Sequence, residues 1–231
     1  MNLIPAIFKI TNEQTFEDTA LAIFRHQAAH CAVYQSFIHH LGVNPDEINQ
    51  VADIPYLPIS FFKSHEVKSS TAATEIVFSS SGTTGMIQSR HLVTDVKVYE
   101  DSFNKAFEQF YGNIESTCLL ALLPSYLERD GSSLIYMVDA LLKQSKHPES
   151  GYFLHNHEDL FLKLKKLQAA GQKTLLIGVT YALLDFLEKY TLDFPELIVM
   201  ETGGMKGKRK EMVREELHDA LKAGFGVNAI Y

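Results

Sequence analysis

The chain has 231 residues, 46% hydrophobic and 21% charged, enough for a globular core in one or two domains. Its net charge of -7 argues against a general nucleic-acid binder, which would present a basic face. Two cysteines cannot build a disulfide framework, and no apolar run approaches the ~20 residues that span a bilayer, so the expected setting is cytoplasmic and reducing, with no membrane span.

The first ten residues are apolar and interrupted by Pro5, without the basic start of a signal peptide. Phe16, Ala20, Ile23, Phe24, Ala28 and Cys31 recur near a 3.6-residue period, which predicts one long helix from Phe16 to Leu41, stopped by Gly42. A proline-marked connector runs from Pro45 to Pro58. Thr94 to Phe110 reads as a helix capped by Thr94 or Asp95, with Val98, Phe103, Phe107 and Phe110 on one side. The pattern then alternates. Strands are expected at 116–123, 151–154, 173–177 and 197–201, and helices at 132–143, 158–170, 181–190 and 208–223. A further strand starts at Gly226 and runs to Tyr231. This predicts an α/β fold with a largely parallel sheet flanked by helices.

The richest segment is Phe78-Ser79-Ser80-Ser81-Gly82-Thr83-Thr84-Gly85, directly after the apolar run Glu75-Ile76-Val77-Phe78. Glycines let successive backbone N–H groups curl toward an anion, and hydroxyls add donors for phosphate oxygens. Ser/Gly/Thr clusters are also ordinary loops. The segment is neither a Walker loop, since no lysine follows Gly85 closely, nor the Gly-x-Gly-x-x-Gly of a dinucleotide fold. Cys31 and Cys118 both sit in apolar patterns and read as packed thiols. His155-Asn156-His157 reads as a loop with a capping residue rather than as a zinc site, and no metal ligands are assigned. The basic cluster at 206–210 reads equally well as a solvated helix start.

Ser80-Ser81-Gly82-Thr83-Thr84-Gly85 resembles the phosphate loop of the adenylate-forming (AMP-binding) superfamily, which includes acyl-CoA synthetases and phenylacetate-CoA ligases. Ile54-Pro55-Tyr56-Leu57-Pro58-Ile59-Ser60-Phe61-Phe62-Lys63, Leu123-Pro124-Ser125-Tyr126-Leu127-Glu128-Arg129 and Glu201-Thr202-Gly203-Gly204-Met205-Lys206-Gly207 are similar to LuxE-type acyl-protein synthetases, in the same order. The resemblance implies ATP-dependent activation of a carboxylic acid, a fatty acid on the LuxE reading. The acyl group passes to an acceptor thiol, an enzyme cysteine or CoA, and an acyl reductase serves as partner. It implies ATP phosphate contacts from Ser79, Ser80, Ser81, Gly82, Thr83, Thr84 and Gly85. It places Gly203, Gly204, Met205 and Tyr231 by the adenine, and Ser125, Tyr126, Gly178 and Val179 around the acyl group. Thr180 is expected to cap the helix it opens.

The same resemblance divides the chain into a helical region and connector at 1–65 and an α/β adenylating core at 66–231. Tyr231 would begin the family's Tyr-Gly-x-Thr-Glu motif, whose glutamate binds Mg2+. Residues 1–231 therefore read as the N-terminal portion of a large domain, without complete adenylation activity of their own. A non-catalytic nucleotide- or partner-binding domain, an acyl- or aryl-CoA ligase, and a plain structural α/β domain remain alternative readings.

Overall fold

The protein is described by a computed structural model covering residues 3–80, 87–124, 131–203 and 212–231. Ser81–Met86, Ser125–Asp130 and Gly204–Glu211 lie outside the described residues. The chain divides into two compact units, residues 1–103 with 131–133, and 104–130 with 134–231.

The first unit opens with α1 (Leu3–Ile7), α2 (Glu13–His30) and α3 (Ala32–His40). Asn12 starts α2 by a capping box: its side chain accepts the Thr15 N–H at 2.9 Å, and Thr15 Oγ1 accepts the Asn12 N–H at 3.2 Å. The expected single helix is in fact two. Cys31 is extended (φ -101°, ψ 102°), and Gln35 Nε2 donates to the Ala29 carbonyl left over at the break. The break brings Phe24 and Ala28 of α2 into one core with Tyr34 and Ile38 of α3, beside Cys31. Tyr34 Oη reaches the Pro55 carbonyl at 2.7 Å, tying the connector to this core. Phe16 is exposed, although the periodicity placed it on the apolar face.

Gly42 ends the helical pair as expected. It adopts φ 67°, and the Val43 N–H returns to the Ile38 carbonyl. The connector carries two single 3-10 turns, Pro45–Glu47 and Val51–Asp53, followed by α4 (Phe61–Ser64). β1 (Ile76–Ser79) and β2 (Arg90–Val93) then pair antiparallel, with Ser79 opposite Arg90.

α5 (Val96–Tyr111) contributes to both units. Asp95 caps it, its carboxylate accepting the Lys97 N–H at 3.1 Å. Phe103 and Phe107 are buried, but Phe110 is 73% exposed. The apolar stripe continues through Tyr111, four residues after Phe107, whose ring it meets at 5.3 Å.

The second unit is built on a parallel sheet in the order β4–β3–β5–β6, formed by β3 (Cys118–Leu122), β4 (Gly151–Phe153), β5 (Thr174–Gly178) and β6 (Ile198–Glu201). Every residue of β3 and β5 is buried, which is why both read as continuous apolar runs. The connecting helices are α6 (Ser133–Gln144), α7 (His157–Ala169) and α8 (Thr180–Leu187), with α9 (Arg214–Phe225) after β6. From β3 the chain steps to β4 in one direction, then crosses back to β5 and β6. Right-handed crossovers then put α6 on one face and the later helices on the other. The contacts agree: Gln144 of α6 bonds Asn104 of α5, whereas Phe186 of α8 meets His157 of α7 and Phe225 of α9. The segment at 226–231 makes a single parallel bridge, Val199 to Ile230, rather than a full strand.

His157 packs its ring against Phe186 at 5.9 Å. Burial lowers its pKa below the usual 6.5; the Asp185 carboxylate opposes this, and the Lys189 and His155 charges add to it. The unfolded chain therefore takes up this proton first as pH falls through about 6.5, and stability drops in that window. The urea midpoint should fall between about pH 7.5 and about pH 5, and fall less in a His157→Gln variant. Equal losses in both proteins would remove His157 as a source of the pH dependence.

Candidate functional site

Ligands in open α/β sheets bind beyond the carboxyl ends of the strands, where the strand order reverses. Here that point lies between β3 and β5. The register brings three strand ends level, with Gly178 of β5 opposite Leu122 of β3 on one side and Glu201 of β6 on the other. The site-bearing segments leave from these ends: Leu123-Pro124 before residues 125–130, Gly178-Val179-Thr180 into α8, and Glu201-Thr202-Gly203 before residues 204–211. Ser125, Tyr126, Gly204 and Met205 lie outside the described residues.

Gly178 is tightly enclosed. A Cβ there would come within 2.7 Å of Leu183 Cδ2 and 2.8 Å of its Cγ, and Leu183 is fully buried. Glycine lets the first turn of α8 sit directly on the end of β5. Val179 is also fully buried, and its N–H donates to the Leu122 carbonyl. Val179, rather than Thr180, is the N-cap of α8 and supplies no side-chain cap. Thr180 is the first helical residue, and its hydroxyl instead donates to Glu201 Oε1.

Glu201 is the centre of this edge. The same Oε1 accepts the Gly203 N–H at 2.7 Å. The Glu201 N–H donates to the Tyr231 carbonyl at 2.7 Å, and the Tyr231 N–H to the Val199 carbonyl at 3.0 Å. Thr202 bonds back to the Gly178 carbonyl through its N–H at 3.1 Å and its hydroxyl at 3.3 Å. Gly203 has φ 77°, a conformation that favours glycine, and among the described residues nothing lies within 4 Å of where its Cβ would stand. The Tyr231 side chain is exposed, and its ring meets Tyr111 edge-on at 5.8 Å. Gly178, Val179, Gly203 and Tyr231 thus meet along one hydrogen-bonded edge.

The hydroxyl-rich loop leaves the hairpin of the first unit. Its base is cinched: the Ser80 N–H donates to the Ser89 carbonyl and the Ser89 N–H to Ser80 Oγ, both at 3.0 Å. The Ser79 N–H donates to the Gly131 carbonyl at 2.8 Å. The backbone donors of Ser79 and Ser80 are therefore spent on framing the loop, while Ser81, Gly82, Thr83, Thr84 and Gly85 lie outside the described residues. His91, six residues beyond Gly85, sits in β2 opposite Phe78, with its ring 6.1 Å from Phe62.

Sequence reasoning passed over two residues here. Gly131 has φ 77° and approaches β1 closely, its Cβ position lying 3.1 Å from the Val77 carbonyl; the turn dipeptide Asp130-Gly131 was a readable signal. Glu201 ends an expected strand and opens the segment similar to LuxE-type enzymes, but the sequence reading gives its side chain no role. A carboxylate between an apolar strand and Thr-Gly-Gly was the available clue.

Both cysteines are buried. Burial pushes the Cys118 thiol up to about 11, with Ser150 and Lys163 pulling the other way, so it stays protonated at neutral pH. Asn156 is the N-cap of α7 but makes no side-chain cap hydrogen bond; its Oδ1 instead accepts the Leu154 N–H in the turn before the helix. No group of three or more His, Cys, Asp or Glu able to hold a metal ion occurs among the described residues, and no described helix is long and apolar enough to cross a membrane. A shallow cleft of about 370 Å³ runs along β4 and past its carboxyl end, lined by Glu149, Tyr152, Phe153, Asn156 and Lys163. On its rim Lys163 and Lys166 both bond Glu149, holding that carboxyl down to about 2.

A parallel four-stranded sheet flanked by helices, with glycine-bearing turns at its carboxyl edge, defines an α/β protein. The sequence model of the family described as acyl-protein synthetase, LuxE, matches residues 7–231, and the chain belongs to that family. Its family is therefore one of ligase-type enzymes that join an acyl group to a thiol. No curated protein and no solved structure matches the chain.

Proposed function

We propose that this protein activates a carboxylic acid, in the first instance a fatty acid, with ATP and Mg2+ and passes the acyl group to a thiol, as a branch of the adenylate-forming superfamily close to the phenylacetate-CoA ligases. The carboxylate oxygen attacks the α-phosphorus, the bond to the bridging oxygen of the β-phosphate breaks, and pyrophosphate leaves. A thiolate then attacks the acyl carbon and AMP leaves. Nucleophile and nucleotide are both anionic, so the protein's main task is positioning and electrostatic relief.

The family match across residues 7–231 carries this reading. The hydrogen bonds between Ser80 and Ser89 support it, because they hold together the two ends of the hydroxyl-rich segment. On this reading Ser81, Thr83 and Thr84 donate to the β- and γ-phosphates. Gly203, Gly204, Met205 and Tyr231 border the adenine, while Ser125, Tyr126, Gly178 and Val179 border the acyl chain. An acyl reductase is the proposed downstream partner, and the cytoplasm the proposed compartment.

An acyl- or aryl-CoA ligase is the variant reading. Cys31 and Cys118 are both buried, so neither is the proposed acyl acceptor. The test is carboxylate-dependent ATP–pyrophosphate exchange in the full natural protein, with acids of graded chain length, followed by thioester trapping with and without CoA. Exchange with long-chain acids and acyl label retained on the protein are expected. Transfer only to CoA would select the variant. Absence of exchange with every acid would overturn both.

A further inference from the structure

We propose that Glu201 is a positioning residue that locks the adenine side and the acyl side of the site into one lip, an inference that rests on the adenylation reading above. One carboxylate oxygen holds two segments of separate origin. From β6 itself it takes the Gly203 N–H at 2.7 Å, fixing the turn in which Gly203 has φ 77°. From across the sheet it takes the Thr180 hydroxyl, at the first residue of α8. Thr180 is only 3% exposed, and α8 has no side-chain cap from Val179 to hold its first turn. Glu201 therefore supplies the acceptor that a buried hydroxyl requires.

Thr202 completes the link by bonding the Gly178 carbonyl with both its N–H and its hydroxyl. The two glycine-bearing turns cannot move independently while these bonds hold. The carboxylate acts through the two turns and does not itself touch substrate.

A lip of this kind predicts a kinetic signature. In the full natural protein, Glu201→Ala should raise KM for ATP and KM for the carboxylic acid together, each by about tenfold, as expected for one lost hydrogen bond to a charged group. Glu201→Gln keeps an acceptor oxygen of the same reach and should return both values to within about threefold of wild type. Thr180→Val removes the hydroxyl without orphaning it, so it tests the link even if Glu201→Ala fails to fold; it should raise KM for the acid. Three results would overturn the proposal: a folded Glu201→Ala variant with both KM values unchanged or only one moved, a Glu201→Gln variant as impaired as Glu201→Ala, or a Thr180→Val variant with unchanged KM for the acid. The second of these would mean that the charge acts on substrate directly. Absence of exchange in the wild-type protein would overturn the adenylation reading and this proposal with it, whereas an active wild type with insensitive variants would overturn this proposal alone.

Discussion

Replacing Thr83 and Thr84 together by alanine is expected to lower carboxylate-dependent ATP–pyrophosphate exchange by about 10²- to 10⁴-fold. The estimate starts from about 1.5–3 kcal/mol for each hydrogen bond to a charged group and about 1.4 kcal/mol per factor of ten. Hydroxyls that act on one phosphate group are not additive, so the lower half of that range is the more realistic. The loss should appear mainly in the ATP dependence, because the acid does not meet these residues on the proposed reading. Fold stability should change little, because the loop is closed below by Ser80 and Ser89. A Ser80→Ala control separates the two effects, since it removes the acceptor for the Ser89 N–H and so loosens the frame. Unchanged nucleotide affinity in the threonine double variant would mean that the loop does not bind phosphate.

Phe186→Ala should destabilise the second unit by about 3–5 kcal/mol, the range for truncating a large buried aromatic. Phe186 is fully buried in α8. Its ring stacks on Phe225 of α9 at 5.7 Å with an interplanar angle of 7°, and meets His157 of α7 and Tyr190 just beyond its own helix. Removing it therefore opens a void where three helices converge, and the neighbouring rings are too rigid to fill it. The urea midpoint should drop with the slope unchanged. A Phe186→Leu variant, which retains most of the volume, should recover a large part of the loss. A midpoint within experimental error of wild type for Phe186→Ala would show that these helices do not pack through this ring.

The position of α8 also links the candidate site to packing remote from it. The helix that carries Phe186 at its far end carries Thr180 at its first turn, and Thr180 bonds Glu201. Gly178, immediately before, has no room for a side chain against Leu183. A shift of α8 would therefore be felt at the carboxyl edge before any residue there was changed.

Much of the fold was legible residue by residue. β3 and β5 announce themselves as unbroken apolar runs because parallel strands are buried on both faces. The strand–helix alternation from Cys118 onward follows, since parallel neighbours need a crossover. Gly42 and Asp95 marked helix ends through local backbone chemistry alone. The hydroxyl and glycine content of Ser79–Gly85 was equally plain, and the apolar run before it forms β1.

Other features required the three-dimensional structure. The break at Cys31 has no proline or glycine to signal it; it exists because Phe24, Ala28, Tyr34 and Ile38 must share one core. Phe16 and Phe110 fit the helical period yet face solvent, since periodicity identifies a stripe but not where the covering surface ends. The strand order β4–β3–β5–β6 is set by pairings between segments far apart in the chain. The role of Glu201 has the same origin. The sequence by itself determined an α/β protein with a hydroxyl-glycine loop and glycine turns of the acyl-protein synthetase kind. Only the tertiary structure decided that Gly178, Thr180, Glu201, Gly203 and Tyr231 share one edge, because that depends on strand register and long-range hydrogen bonds that no local stretch of sequence contains.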